Sequence, residues 1–143
     1  MINPLLNQYP TSMKKEISVP TNRKIQLVDI TRQVSGVVAE SGIREGICVV
    51  FCPHTTAGLV INENADPDVA SDLERAFDEV VPKIRYDHNE GNSPAHFLCS
   101  VTRPSLQVII ENGKLQLGTW QALYFCEFDG PRRRKAWIKI MEG

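Results

Sequence analysis

The sequence lacks any hydrophobic run long enough to span a membrane. Its apolar stretches, such as residues 47–52 and 120–128, fall far short of the roughly 20 residues that a helix needs to cross a bilayer. The first six residues have neither a basic segment nor a long apolar core, so they do not resemble a secretory signal. These absences predict a cytoplasmic protein with no membrane partner.

The sequence also lacks an excess of charge of either sign. The 16 basic and 17 acidic residues leave a formal net charge of −1, far from the strongly basic footprint of a nucleic-acid binder. We therefore expect no nucleic-acid partner. The one dense basic run, Arg132-Arg133-Arg134-Lys135, has two interpretations: a solvated strand end, which we favour, or a surface that faces phosphate.

Cysteine is scarce, and its spacing does not suggest a redox motif. Cys48 and Cys52 are four positions apart and do not form a CxxC pair. Three of the four cysteines lie inside apolar stretches, and no export signal precedes them. We therefore expect reduced, partly buried thiols rather than two disulfides.

The composition suits a single folded domain. A chain of 143 residues with 42% hydrophobic content can bury about 68–70% of its unfolded surface in one core. Residues 1–12 read as an irregular N-terminal segment and residues 13–143 as the domain.

Helices are predicted at three places. Apolar residues recur with helical spacing from Ile30 to Val38, where Asp29 or Thr31 can cap the start and Gly42 can close the end. A second helix begins at the Asp66-Pro67 pair and ends before Pro82, with Val80 among its inward positions. A short third helix begins near Ser93.

The rest of the chain reads as strands. Residues 17–19 and 25–27 alternate between polar and apolar and suggest two strands joined by a short turn. Asn112-Gly113 marks a hairpin, and residues 120–128 form a central strand that is apolar on both faces. Because the helices are not regularly interleaved with the strands, the pattern predicts an α+β fold. We expect a largely antiparallel sheet, two main helices and one short helix in a compact single domain.

The only three histidines lie beside turns or at a helix start: His54, His88 and His96. Three imidazoles can hold a zinc ion and leave a fourth position for water, but this spacing matches no stock zinc motif. The ordinary alternative is three hydrogen-bonded loop residues. If the rings converge, Glu90 either ligates the metal or acts as a general base toward a bound water. Side chains that then orient the ring nitrogens are Asp87, Glu90 and Asn92.

Three other polar groups are weaker candidates. In residues 62–68, Asp66 and Asp68 have structural roles at a helix start, whereas Glu63 has none and is the best functional candidate. At residues 118–121, we favour a glycine bulge with Trp120 in the core over a pocket floor made by Thr119 or Gln121. Arg132 can clamp a phosphate through its bidentate fork.

Several motifs together resemble the YjbQ-like family over nearly the whole chain beyond residue 12. They are long and follow the family's order along the chain. The matching segments are His54-Thr55-Thr56-Ala57, residues 61–69, Tyr86-x-His88-x-Glu90-x-Asn92 with Ala95-His96, Pro104-Ser105-Leu106, residues 117–121 and residues 124–132.

The resemblance implies a compact α+β fold that assembles as a homotrimer and holds a divalent metal at the matching histidines. Zinc is the expected metal and magnesium the alternative. Some members of the family are described as secondary thiamine-phosphate synthases, which join a pyrimidine pyrophosphate to a thiazole phosphate and release pyrophosphate. The residues assigned to this chemistry are His54, His88 and His96 as metal ligands, Glu63 and Glu90 as catalytic groups, and Thr55, Asn62, Asn92, Thr119, Gln121 and Arg132 as substrate-binding groups.

Two positions depart from the family pattern, and two functions remain open. Arg103 and Ala122 stand where glycine is expected, which changes a turn or fills space near a pocket, or, in the case of Arg103, adds a phosphate contact. We favour a metal-assisted enzyme acting on a small phosphorylated metabolite, with thiamine-phosphate synthesis as the named case. The alternative is a non-catalytic trimer that binds a metal or a small ligand, because the sequence offers no obvious nucleophile.

Overall fold

A computed structural model describes residues 11–143, which form eight strands and three helices. The predicted N-terminal segment lies outside the described residues up to residue 10, but Ser12 already begins the first strand. The elements are β1 (Ser12–Pro20), β2 (Gln26–Asp29), α1 (Thr31–Ser41), β3 (Gly46–Phe51), β4 (Ala57–Glu63), α2 (Pro67–Val80), α3 (Ser93–Val101), β5 (Ser105–Glu111), β6 (Lys114–Leu115), β7 (Gln121–Glu127) and β8 (Arg133–Glu142).

The strands form two sheets in which every pairing is antiparallel. The larger sheet has the order β1-β8-β3-β5-β6, and the smaller has the order β2-β7-β4. A single bridge between Leu59 on β4 and Arg103 joins the smaller sheet to the chain just before β5. The α+β prediction is therefore confirmed.

The smaller sheet is buried on both faces. One face packs with helix α1 and the inner face of the larger sheet in the main core, where Phe125 of β7 is fully buried. The other face packs under α2 and α3 around Cys126 and Phe128. The central strand β7 is therefore apolar on both faces, as predicted.

Local signals placed the helix ends well. The Asp66 carboxylate accepts a hydrogen bond from the Asp68 backbone N–H, and Pro67 is the first residue of α2. Gly42 adopts a left-handed conformation (φ +69°) after α1. Ile30 occupies the cap position of α1, but the Asp29 carboxylate still accepts the Thr31 N–H at 2.9 Å.

Two glycine-dependent features shape the fold. Asn112 (φ +53°) and Gly113 (φ +74°) make the predicted hairpin turn between β5 and β6. At Gly58 on β4, a Cβ atom would lie 2.0 Å from the Thr102 hydroxyl, so only glycine lets the end of α3 approach this strand.

Three expectations were wrong. Strands β1 and β2 do not pair with each other, because β1 pairs with β8 and β2 with β7. Trp120 is not in the core but 63% exposed, because β7 begins only at the next residue. Val80 is 58% exposed, and Val81 packs under α2 in its place.

In the described part of the chain, no helix has the length and apolar character of a membrane span. All four cysteines are free, and three of them are buried, as expected.

Candidate functional site

A surface cavity of about 490 Å³ lies where β4 begins and β7 ends. Strand ends, the loop before α3 and the first turn of α3 each contribute side chains to its lining. All three histidines line it, although the first and the last are 42 positions apart in the sequence. The lining residues are Pro53, His54, Thr55, Thr56, His88, Glu90, Asn92, His96, Arg132 and Arg134.

Two of the imidazoles form a close pair. The ring centroids of His88 and His96 are 5.6 Å apart, and the ring planes meet at 74°. His88 lies on the exposed loop before α3, whereas His96 is held on the helix itself. The pair therefore joins one side chain on a rigid element to one on a loop.

The third imidazole, His54, is held by the protein on one side. Its Nε2 atom lies 3.1 Å from both the backbone nitrogen and the backbone oxygen of Lys135, so either tautomer finds a partner there. The ring also packs edge-on against Phe125. Burial, and then the positive charge of Arg134, lower the pKa of His54 below its ordinary value. The neutral ring thus offers Nδ1 as its second nitrogen.

A buried ion pair joins Arg134, which lines the cavity, to Glu127, which lies behind it, and sequence reasoning missed it. The Arg134 guanidinium donates to both carboxylate oxygens of Glu127, at 2.7 Å from Nε and 2.6 Å from Nη2. Nη2 also donates to the Thr56 hydroxyl, and the Thr21 hydroxyl donates to Glu127. Burial alone would raise the Glu127 pKa, but the hydrogen bonds from Arg134, the Asp129 N–H and Thr21 hold it below its ordinary value.

This pair leaves one edge of the arginine free. Within residues 11–143, Arg134 Nη1 makes no hydrogen bond, whereas Nε and Nη2 are both engaged. Because Arg134 lines the cavity, Nη1 is the edge that can meet a ligand. One sequence signal could have predicted the Glu127–Arg134 ion pair. Glu127 lies inside the apolar run of β7, and a buried carboxylate needs a cation nearby.

The basic run 132–135 lies at the start of β8, where Arg132, Arg133 and Lys135 are exposed, as the favoured interpretation expects, and only Arg134 is buried. Arg132 donates from Nε to the Asp129 backbone oxygen and from Nη2 to the Asp129 carboxylate, at 2.8 and 2.7 Å, and its Nη1 makes no hydrogen bond among the described residues. The same carboxylate accepts a hydrogen bond from Asn92 Nδ2 at 3.0 Å. That bond orients the Asn92 amide and leaves Oδ1 as the single buried side-chain polar atom without a partner among the described residues.

Four predicted site residues lie elsewhere. Asn62 and Glu63 end strand β4, and Gln121 begins β7 directly opposite Glu63. Asn62 accepts its neighbour's N–H, and Gln121 accepts the Gly118 N–H, so both side chains have local structural roles. Thr119 is exposed in the preceding turn. In a single chain, none of these four lines the histidine cavity.

The two departures from the family pattern lie away from the histidines. Ala122 is fully buried within β7, and Arg103 lines a separate cavity of about 480 Å³ with Ile61 and Gln107. No group of three or more His, Cys, Asp or Glu side chains in residues 11–143 is arranged closely enough to hold a metal ion. The three histidines thus share a cavity without forming a preformed metal cage.

Comparisons with known proteins agree on one family. The family model described as "UPF0047 protein YjbQ-like" matches residues 15–143. The UPF0047 protein YugU of Bacillus subtilis is 52% identical over 131 residues, covering 90% of this chain and 99% of that protein. A UPF0047 protein of Methanocaldococcus jannaschii is 47% identical over 124 residues, covering 86% of this chain and 90% of that protein.

Solved structures agree as well. A crystal structure of a YjbQ/UPF0047 family protein from Clostridium acetobutylicum is 56% identical, has a TM-score of 0.85, and covers 89% of this chain and 99% of that one. A protein of unknown function from Sulfolobus solfataricus is 34% identical, has a TM-score of 0.86, and covers 92% of this chain and 98% of that one. This chain therefore belongs to the YjbQ-like UPF0047 family.

Proposed function

We propose that the histidine cavity binds a divalent metal ion together with the phosphate end of a small metabolite, and that the protein is a metal-assisted enzyme. One observation carries the proposal: three histidines from distant parts of the chain line the same cavity as the free edge of a buried arginine. The named case is secondary thiamine-phosphate synthesis.

The donor chemistry of the cavity fits a metal. His88, His96 and the Nδ1 atom of His54 would hold it, and imidazole nitrogens suit zinc better than the hard cation magnesium. The buried Asn92 Oδ1, which lacks a protein donor, adds a neutral oxygen to this set. When bound, the metal would supply positive charge to a phosphate oxygen.

The protein itself contributes a fixed cationic edge. Arg134 cannot turn away, because Glu127 and Thr56 hold its Nε and Nη2 atoms. An arginine fixed in this way loses little side-chain entropy when it binds a phosphate or diphosphate. Arg132 then acts indirectly by orienting Asp129 and, through it, Asn92. Thr55, exposed at the rim, supplies a further hydroxyl.

Proton transfer would fall to Glu90. It lines the cavity on the same loop as His88, within two residues of that ring, and it is exposed. A carboxylate there can accept a proton from a bound hydroxyl or water and hold it during reaction. Glu63, the other proposed catalytic group, lies too far away to act in the same chain.

The alternative is a binding protein without turnover. It is favoured because neither of the two cysteines next to the cavity segments is an accessible nucleophile. Cys52 is buried, which raises its pKa to about 11, and the Cys99 thiol donates to the His54 carbonyl. Tight ligand binding with no product after long incubation would support this alternative.

We also propose self-association as a homotrimer. The water-facing side chains of β3 in the larger sheet include Ile47 and Phe51, which are 46% and 41% exposed. Ile109 and Met141 lie beside Ile47 on the flanking strands, in register with it. An antiparallel sheet normally turns polar residues to water, so this apolar strip favours a covered surface.

The deciding experiment measures turnover with purified full-length protein loaded with zinc or with magnesium. The pyrimidine pyrophosphate and the thiazole phosphate are supplied, and thiamine phosphate and pyrophosphate are quantified. We expect activity that His88→Ala removes and that Asn89→Ala, a neighbouring exposed loop position, leaves intact. Unaltered activity in the His88→Ala variant would exclude this cavity from the mechanism.

A further inference from the structure

Two polar groups lie at opposite ends of one strand pair. The antiparallel register of β4 and β7 runs from Ala57 opposite Glu127 to Glu63 opposite Gln121. The histidine cavity is at the first end. Because a strand of seven residues extends about 20 Å, Glu63 cannot reach that cavity within its own chain.

We define the acidic end as residues 29–32, 62–68 and 118–121, which meet where β4 ends and β7 begins. Asn64 connects its parts, since its side chain donates to the Asp29 carboxylate and its backbone N–H to the Trp120 carbonyl. Arg32 is the one basic residue in these segments. The four carboxylates are those of Asp29, Glu63, Asp66 and Asp68.

The acidic end has the features of an incomplete contact surface. Trp120 is 63% exposed there, and tryptophan is among the residues most enriched at the energetic centres of protein interfaces. Among residues 11–143, the Glu63 carboxylate has no hydrogen-bond or ion-pair partner. Neither group has a structural role that would explain its position in an isolated chain.

The histidine end has complementary features. The segments around the cavity, residues 82–92 and 127–135, hold six basic and four acidic residues. Arg132 and Arg134 are paired with Asp129 and Glu127, whereas Arg133 and Lys135 are exposed. Exposed apolar side chains lie on the elements that bear the histidines: Ile84, 64% exposed, on the loop of His88, and Val101, 56% exposed, on the helix of His96. A negative surface with an exposed tryptophan fits a positive surface with exposed aliphatic groups.

We propose that the acidic end of one copy docks against the histidine end of the next, so that Glu63 of the partner subunit completes the histidine cavity. This inference rests on the self-association proposed above. A contact between two different patches is head-to-tail, and it makes a closed ring when the rotation between copies closes. It would explain why Glu63 and the histidines are separated within one chain.

Cross-linking tests the contact directly. The double variant Glu63→Cys/Asn89→Cys in the full-length chain places one thiol at each end, too far apart for a short bismaleimide to join within a chain. We expect a ladder of covalently linked copies. The matched control Glu111→Cys/Asn89→Cys, with its first thiol on exposed β5, reports background that includes the native cysteines. A ladder no stronger than this control overturns the inference.

Tryptophan fluorescence gives a second, independent measurement. In the Trp137→Phe variant, Trp120 is the only tryptophan. We expect acrylamide to quench it weakly at micromolar protein concentration and several-fold more strongly after Glu63→Arg is added, since this charge reversal separates the copies. Glu111→Arg is the control and should change nothing. Full accessibility of Trp120 before the charge reversal contradicts the proposed contact.

The two proposals fail in distinguishable ways. A ladder with shielded Trp120, but no metal or inorganic phosphate binding by calorimetry, refutes the proposed function and supports the contact. Metal binding that His88→Ala removes, without a ladder, refutes the contact alone. A monomer at micromolar concentration by sedimentation equilibrium refutes both the trimer and the shared site.

Discussion

The floor and the wall of the histidine cavity are built differently. The floor consists of His54, Thr56 and Arg134, at or just before strand ends, with the buried Glu127 behind them. Hydrogen bonds join Arg134 to Glu127 and Thr56, and His54 to the Lys135 backbone. The wall is the loop of residues 82–92, where His88 and Glu90 are exposed.

The wall loop has few internal contacts. Tyr86 donates to the Pro82 carbonyl, Gly91 donates to the His88 carbonyl, and an exposed ion pair joins Arg85 to Asp87. Segments with so few buried contacts open at low free-energy cost. The difference suggests that the floor fixes the position of a ligand, whereas the wall adjusts around it.

The largest effect should come from breaking the floor. Glu127→Ala leaves the Arg134 charge buried without its partner, and we expect a loss of about 3–5 kcal/mol in the free energy of unfolding. Urea denaturation followed by circular dichroism measures it. The matched wall variant Glu90→Ala should change stability by less than about 0.5 kcal/mol.

The pair can also be replaced as a whole. Glu127→Leu/Arg134→Met removes both charges together, and it should recover most of the stability that Glu127→Ala loses. Comparable losses in the floor and wall single variants would contradict the division between them.

The next largest effect is expected from acid, which should reduce the contribution of Glu127 to the free energy of unfolding. The Glu127 pKa in the folded protein is below its ordinary value of 4.5, so the unfolded chain takes up the proton more readily. Its contribution is therefore present above that ordinary value and is lost as pH falls through the lower, folded pKa. Denaturation midpoints at a series of acidic pH values should drop less steeply in Glu127→Gln. An equal slope in both proteins would show that another group dominates.

Metal binding should depend on the wall and the floor together. His88→Ala and His54→Ala should each weaken zinc binding by more than about tenfold in calorimetry, because each removes a proposed ligand. Asn89→Ala is the matched control on the same loop. Tight binding that survives both histidine substitutions would place the metal elsewhere.

The smallest expected effects come from removing one hydrogen bond of the floor or one hydrogen bond of the wall loop. Thr56→Val removes a buried hydroxyl partner of Arg134 and should cost about 1–2 kcal/mol in unfolding free energy. Tyr86→Phe removes an exposed hydroxyl bond of the wall and should cost less than about 0.5 kcal/mol. Thermal or chemical denaturation resolves the two values. A larger loss for Tyr86→Phe than for Thr56→Val would contradict the assignment of the floor as the rigid part of the cavity.

Local structure was largely predictable from the sequence. The Asp66-Pro67 start, the Asn112-Gly113 turn and the apolar strand β7 each depend on residues close together in the chain, and each prediction was confirmed. Strand partners were not predictable in this way. The pairing of β1 with β8 joins the two ends of the domain, and short-range alternation carries no information on which distant strand lies alongside.

For the candidate site too, short-range features were predictable from the sequence and the arrangement of distant residues was not. The sequence by itself identified the histidines and Glu90 as chemically capable side chains beside turns, but it left open whether the histidines are metal ligands or ordinary hydrogen-bonded loop residues. Only the tertiary structure decided that the histidines share a cavity, that Arg134 is buried against Glu127 with its Nη1 edge left free, and that Glu63 lies at the far end of the strand pair. The physical reason is that each of these facts depends on the pairing of distant segments, whereas residue type and spacing act only over a few positions.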